Sequence, residues 1–449
     1  MSISLYVKNF GKIEEANIEV KPLTLLVGDN NSGKSYLMSL IWGLHTSNSI
    51  RMLFFKAKNI ESNPLFIEIN EKITAIFKSN LENDNSLFEI LISVKEFEAF
   101  FNFLLNKYKN DFLKYIFNSD KVDIEYIAVK FTNKKDIKFK IMKGLSNSLN
   151  IEFERGLMVF PSDASKHIKT IVKAILMESA NAFLEADDET TIYLPSARTG
   201  FILSKNALNR YGRNIAFDFY SNKDNYINNI PVFTKPILYF LNKMDSDILK
   251  KTQYNDIIAF IENNMTNGEV KYLNESSKEI GYVPSKFNDI FPLRITSALV
   301  TELSPLILLL KSNPKIKTLC YEEPEMCLHP KYQELIARVL IKLVNKNINI
   351  IATTHSDIIL QHINNMGVLS KVDEDRKCQI MEKFSFNNND LINLQRINVY
   401  QLSIVDNVTK VKKIEVNKLG FDVHSFSDVL SELLKKSLVI NRSIEGKND

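Results

Sequence analysis

Apolar and polar residues alternate at the start of the chain, with Ile3, Leu5 and Val7 and then Ala16, Ile18 and Val20 set apart by Gly11-Lys12. A period of two predicts two strands joined by a turn. Leu23-Thr24-Leu25-Leu26-Val27 is apolar almost throughout, the pattern of a short buried strand. Past a glycine-framed gap, Tyr36, Leu37, Leu40, Ile41 and Leu44 recur at helical spacing. In the middle of the chain, Phe66–Phe77 and Leu87–Ile116 read as helical stretches. Ile124–Val129 and Ile137–Ile141 read as a hairpin around Asn133-Lys134-Lys135. Ala164–Leu184 is a long amphipathic helix, Thr191–Leu194 a strand, and a second polar helical region runs to about Asn264. Gly268 to Pro292 gives short strands broken at Asn274–Lys278.

The last third alternates between the two periods. Strands are expected at Ile316–Tyr321, with Lys317 out of place in a central strand, and at Ile348–Thr353. A helix from Lys331 carries Leu335, Ile336, Val339, Leu340 and Leu343 on one face. Further strands are expected near Cys378–Phe386 and Leu402–Val408, and a last helix from Ser425 or Ser427. Strands alternating with helices predict an α/β fold around a largely parallel, helix-covered sheet.

Composition narrows the class. A length of 449 residues allows two or three domains, and 45% hydrophobic with 24% charged residues is a globular balance. Lys+Arg 57 against Asp+Glu 53 leaves a net charge of +4, too small an excess to identify a nucleic-acid partner. Cys320, Cys327 and Cys378 contain no CxxC and cannot all pair, so reduced thiols in a cytoplasmic protein are expected. No run of about 18 apolar residues occurs, and MSISLYVKNF lacks the apolar segment of a signal peptide, which argues against membrane and secreted classes.

Glycine is scarce, with 13 in the chain, and two of them frame Gly28-Asp29-Asn30-Asn31-Ser32-Gly33-Lys34-Ser35. This stretch fits GxxxxGK[ST] at every fixed position and lies between a predicted strand and a predicted helix, the context a phosphate-binding loop requires. Gly28 and Gly33 let the backbone wrap with its N–H groups inward at a helix N-terminus. Lys34 would reach the β- and γ-phosphates of ATP, and the Ser35 hydroxyl would ligate Mg²⁺. A nucleotide site also needs a carboxylate for the metal and a group that aligns the attacking water. Glu322-Glu323, ending an apolar strand, supply both, because adjacent strand-end residues point in different directions. His355 ends the next predicted strand, where it would hydrogen-bond the γ-phosphate and report its presence.

These strings, with Asn9-Phe10 ahead of them, resemble the OLD-type branch of the ABC ATPases, a branch carried under the AAA label. The resemblance rests on Gly28–Ser35, on Glu322-Glu323-Pro324-Glu325-Met326-Cys327-Leu328-His329-Pro330 and on Thr353-Thr354-His355-Ser356. Tyr193-Leu194-Pro195-Ser196-Ala197-Arg198-Thr199-Gly200 also resembles a motif of this branch, and RecF and SMC heads are more distant relatives. It covers roughly residues 1–45 and 265–430. It implies a P-loop ATPase head of ABC type in which Lys34 and Ser35 belong to Walker A and Glu322 replaces the Walker B aspartate. Glu323 would be the catalytic glutamate and His355 the switch histidine. It further implies heads that dimerise on ATP, each nucleotide meeting the partner's signature serine-glycine. Thr296-Ser297-Ala298 is the best match, so Ser297 would act in trans, although the glycine is missing. Arg198 is read as a phosphate-facing or coupling residue, or equally as a solvated loop arginine.

The expected layout is therefore a split head. Residues 1–46 carry Walker A, 47–189 form a mostly helical insertion with a β hairpin, and 190–200 return to the head. A helical insertion over 201–264 follows, then the rest of the head over 265–430 and a C-terminal tail over 431–449. Relatives of this architecture serve anti-phage defence, some with their own nuclease domain and others, such as Septu, PARIS and certain retron ATPases, with a separate effector. Asp373-Glu374-Asp375 is a formal DxD, but no Toprim or HNH constellation accompanies it. The expectation is an ATPase sensor or scaffold that controls a separately encoded nuclease or toxin. Two readings compete with it. One is a RecF-like DNA-repair ATPase contacting nucleic acid through Lys134, Lys135, Lys138, Lys140, Lys410, Lys412 and Lys413; the other is an ATP-gated scaffold with negligible hydrolysis.

Overall fold

The computed structural model describes residues 3–78, 88–143, 148–161, 164–205, 233–249, 251–274, 278–417, 420–421 and 434–440. The opening alternation forms a hairpin, β1 (Ile3–Phe10) and β2 (Ile13–Glu19), and the apolar run forms β3 (Leu23–Gly28), followed by helix α1 (Lys34–Leu44). Helices α2 (Ser47–Lys56) and α3 (Pro64–Lys78), strand β4 (Phe88–Ile92), and helices α4 (Val94–Lys107) and α5 (Lys109–Phe117) come next. Strands β5 (Ile124–Phe131), β6 (Ile137–Lys143), β7 (Leu149–Phe153) and β8 (Gly156–Phe160) lead to helix α6 (Ile168–Phe183) and strand β9 (Thr191–Leu194). Then follow helices α7 (Lys235–Lys243) and α8 (Asn255–Ile261), the small sheet β10 (Gly268–Asn274), β11 (Glu279–Pro284) and β12 (Phe291–Pro292), and helix α9 (Ala298–Ser312). The last third runs β13 (Thr318–Glu322), α10 (Pro330–Asn345), β14 (Asn349–Thr354), α11 (Asp357–Leu369), α12 (Glu374–Phe384), β15 (Ile397–Val405) and β16 (Val408–Ile414).

Among the described residues, nine strands form one mixed sheet in the order β5-β1-β2-β16-β15-β3-β14-β13-β9. Its β15-β3-β14-β13-β9 half is parallel, with Leu25 level with Val399 on one side and Ala352 on the other. Residues of successive positions therefore enter opposite cores. Leu25, Tyr321 and Ala352 face a layer built by α8 to α11, while Leu26, Cys320 and Ile351 face one built by α1 to α6. The result is an α/β/α sandwich. The carboxyl ends of the parallel strands gather the P-loop, the acidic pair and His355 on one edge, where such folds place ligands.

Helices α2 to α6 and strands β4 to β7 share their core with β1, β2 and α1. The expected hairpin of Ile124–Val129 with Ile137–Ile141 does not form: β5 pairs with β1 in the main sheet, and β6 pairs with β4 and β7 in a separate four-stranded sheet. The outer edge of β5 is instead covered by α4. Asn102 exchanges two hydrogen bonds with the Val129 backbone (2.7 and 3.0 Å) and Asn106 two with Ile127 (3.1 and 2.6 Å), so two side-chain amides one turn apart stand in for a strand. Residues 88–92, expected within a helix, are strand β4. The strand expected near Cys378–Phe386 is helix α12, because Asp373 caps it by accepting from Arg376 N (3.1 Å) and Glu374 and Asp375 occupy its first turn. Lys317 lies just before β13, within 3.5 Å of Asp187. The expected helix start at Ser425 or Ser427 lies outside the described residues; residues 434–440 are helical.

Two histidines are buried neutral. His45 Nδ1 lies 2.6 Å from Leu184 O, and burial pushes its pKa down to about 4; burial does the same to His362, also to about 4, with the Arg338 charge adding. Unfolded histidine titrates near 6.5, so the unfolded chain binds more protons between the two values. Their contribution is complete above pH 6.5 and is lost as pH falls toward 4, about 2 kcal/mol each by pH 5. Thermal melting should drop between pH 7.5 and pH 5, and a flat profile there contradicts buried neutral histidines.

Candidate nucleotide-binding and hydrolysis site

The loop after β3 is pinned from both sides. Gly28 has φ +127°, and a Cβ there would sit 2.0 Å from Leu402 O on β15. Asp29 N donates to that same carbonyl (3.2 Å), and the Asp29 carboxylate accepts from Ile404 N (3.0 Å). Asn31 is left-handed at φ +59°, Gly33 at +90°, and a Cβ on Gly33 would lie 2.9 Å from Ile13. Asn30 and Ser35 are exposed. Gly33 caps α1 with no side-chain hydrogen bond and no acid follows in the first turn, so that turn's N–H groups face an anion-favouring field. Ser32 is fully buried and its Oγ has no hydrogen-bond partner among the described residues. Lys34 is buried, and its Nζ donates to Gly28 O (3.0 Å) and Asp29 O (2.6 Å). Burial lowers its pKa, against the charges of Glu323, Asp29 and Glu325. A cradle of N–H groups, one orphan hydroxyl and one desolvated ammonium matches a polyphosphate.

The acidic pair ends β13. Glu322 is buried, its Oε1 accepting from Tyr193 OH (2.7 Å) and its Oε2 from Ser196 N (2.9 Å). Each oxygen keeps a lone pair, and with the Ser35 hydroxyl this gives the hard-oxygen donors that suit Mg²⁺. Glu323 turns into a left-handed conformation, φ +41°, and its N–H donates to Thr353 O (3.0 Å) and Thr353 Oγ1 (3.1 Å). Its carboxylate lies 3.8 Å from His355 Nε2, with both side chains 29% exposed. Burial, then the neighbouring Glu322 charge, raises the Glu323 pKa; Lys34 and Arg198 oppose this. Burial, then Lys34, lowers that of His355. Lys34, Glu322, Glu323 and His355 are thus brought to one site.

Arg198 is neither solvated nor open to a nucleotide. It is fully buried, with Nη1 donating to Pro195 O (3.0 Å) and Glu322 O (2.8 Å), Nη2 to Glu323 O (3.1 Å), and the carboxylate of Glu302 in close contact with Nη2. Ser297 stands apart, exposed at the N-cap of α9, accepting from Val300 N (3.4 Å). Sequence reasoning gave no role to Tyr193, Ser196, Glu302 or Glu325. Tyr193 and Ser196 lie in the string already singled out, and Glu325, whose Oε1 accepts from His355 N (2.5 Å), lies in the acidic string. Nothing in the local sequence marks Glu302. Of the lysines considered for nucleic acid, Lys134, Lys138, Lys410 and Lys413 are each paired with a glutamate.

A glycine loop closing a central parallel strand, with an acidic pair on a strand of the same parallel array, defines a P-loop nucleotide-binding protein. The chain belongs to the AAA ATPase domain family, whose profile matches residues 1–360. Among solved structures it is similar to the SMC head bound to the C-winged helix domain of ScpA, at 13% identity over 93% of this chain and 99% of that chain, with a TM-score of 0.39. It is similar also to the SMC head domain from Thermotoga maritima, at 13% identity over 93% of this chain and 100% of that one, TM-score 0.34. A third is the SMC head domain with an extended coiled coil from Pyrococcus furiosus, bound to the C-terminal domain of ScpA, at 12% identity over 96% and 99%, TM-score 0.37. No curated protein matches the chain in sequence. Among the described residues no helix is long and apolar enough to cross a membrane.

Proposed function

We propose that the chain binds ATP with Mg²⁺ and hydrolyses it, two heads pairing around the nucleotide. The observation that carries this reading is the convergence of Lys34, Glu322, Glu323 and His355, with the Glu323 carboxylate 3.8 Å from His355 Nε2. Ser35 and Glu322 would hold Mg²⁺, which when bound neutralises charge on the phosphate oxygens. The first-turn N–H groups of α1 and Lys34 bind and orient the triphosphate. Glu323, its proton affinity raised by burial, orients the attacking water and takes its proton. His355, its pKa lowered by burial, donates a hydrogen bond to a γ-phosphate oxygen and is the sensor of its departure. Ser297, at the exposed start of α9, is the group a second head would present across the interface.

The biological reading rests on the resemblance of the Glu322–Pro330 and Thr353–Ser356 strings to OLD-type ATPases. It is a sensor or scaffold subunit of an anti-phage system controlling a separately encoded nuclease or toxin. Direct DNA binding has less support, since four of its candidate lysines already hold carboxylates. Phosphate release from ATP by the purified chain, with and without Mg²⁺, tests the chemistry. Release is expected only with Mg²⁺, at a rate per chain that rises with protein concentration, and none under either condition overturns hydrolysis. For the biology, the locus with its neighbouring genes should lower phage plating; unchanged plating with the complete locus overturns the defence role.

A further inference from the structure

Resting on the hydrolytic reading, we infer that the buried Arg198–Glu302 pair is a lever carrying the state of the α9 N-terminus to the catalytic Glu323 peptide. Both side chains are 0% exposed. Glu302 lies on the second turn of α9, one turn from the exposed Ser297 N-cap, and α9 is otherwise embedded in the core. The Glu302 carboxylate meets Arg198 Nη2 and accepts from Thr199 Oγ1 (2.5 Å), and the Glu302 carbonyl accepts from Arg198 Nε (3.4 Å). From the same guanidinium, Nη1 and Nη2 reach the carbonyls of Glu322 (2.8 Å) and Glu323 (3.1 Å). Its Cζ lies over the Tyr321 ring, 4.9 Å from the ring centroid. A guanidinium is a rigid fork, so its donors move as one body.

The far end of the lever is a peptide held under constraint. Glu323 is left-handed at φ +41°, its N–H fixed to β14 through Thr353 and its C=O accepting from Arg198 Nη2 (3.1 Å) and from Met326 N (3.0 Å). A displacement or rotation of the first turns of α9, where a second head would dock on Ser297, pulls on Glu302, then on Arg198, then on the Glu323 carbonyl. The Glu323 side chain leaves that peptide toward His355. Arg198 and Glu302 are therefore positioning residues: they touch no nucleotide, and they set where the Glu323 carboxylate stands once the heads meet.

The test uses Arg198→Lys, Glu302→Gln and their double variant in the full chain, with Thr199→Val as the mildest change should the others fail to fold by circular dichroism. Lysine keeps the charge and loses the fork. Expected is a fall in kcat of about tenfold or more with ATP affinity within about threefold of the parent. The double variant should fall no further than the worse single, because the two residues act as a unit. Unchanged kcat in Arg198→Lys, or singles whose losses multiply in the double, overturns the lever. Hydrogen exchange with a non-hydrolysable ATP analogue supplies a readout independent of turnover. Protection should rise together at 297–301 and 322–326 in the parent, and at 297–301 alone in Arg198→Lys; protection of both segments in the variant overturns the lever. If the parent releases no phosphate, the hydrolytic reading fails by itself, and the exchange pattern still decides whether the two segments are linked.

Discussion

Lys34→Ala is expected to weaken ATP binding at least about 100-fold, equivalent to about 2.7 kcal/mol. The ammonium is buried, and its two hydrogen bonds go to the loop's own carbonyls, Gly28 O and Asp29 O. Burial lowers its pKa, so the charged form is short of solvation and gains strongly when a phosphate anion arrives. Charge-assisted hydrogen bonds contribute about 1.5–3 kcal/mol each, and alanine forfeits them all. The fold should survive. Helix α1 is held by Leu37, Leu40, Ile41, Trp42 and Leu44, none of which needs Lys34, and the loop is held by Gly28, Asp29 and Gly33 against β15 and β2. Melting curves read both halves of this statement. Without ATP the variant should melt near the parent. With ATP at 100 times the parent's Kd, the parent gains about 2.7 kcal/mol and the variant at most about 0.4 kcal/mol. A variant that keeps the full ATP-induced shift removes Lys34 from the phosphate site.

The parts of this site that a sequence reveals are those made by neighbours in the chain. Gly28 to Ser35 is legible because strand, loop and helix N-terminus are consecutive, and Glu322-Glu323 and His355 because each ends an apolar run. The sheet that joins them could be inferred from the alternation of strands and helices, though not its order, since Leu25 meets Val399 and Ala352 through pairings that no local pattern encodes. Arg198 shows the limit most clearly. Its tripeptide Ala197-Arg198-Thr199 looks like an exposed loop, and its burial depends on Glu302, 104 positions away. The strand β5 fails for a related reason. Its pattern fits a hairpin with β6 as well as it fits β1, and what decides is the pair Asn102 and Asn106 covering its free edge. The α12 region could have been read correctly, because Asp373 with Glu374 and Asp375 is a helix-start signal that outweighs the few apolar residues after it.

Glu323→Gln should lower turnover about 10²–10⁴-fold, the range for loss of a general base, while ATP affinity stays within about threefold. The hydrogen bonds that place this residue are made by its main chain, the N–H donating to Thr353 and the C=O accepting from Arg198 and Met326 N, so the amide variant inherits the left-handed turn and its constraints. What it loses is the ability to take a proton. In the parent, burial and the adjacent Glu322 raise the Glu323 pKa. The acid limb of kcat should therefore lie above the ordinary carboxylate range near 4.3, activity falling as pH drops through the raised value. The residual activity of the variant should lack that limb. The same variant separates an active ATPase from an ATP-gated scaffold, in which turnover is negligible to begin with and the substitution changes little. Because chemistry slows while binding continues, the ATP-loaded form should accumulate, and light scattering should then find two chains per particle. An ATP-loaded variant that stays monomeric removes the trans role of Ser297 without touching Glu323; parent-like turnover in the variant removes Glu323 from the chemistry, whatever the oligomer.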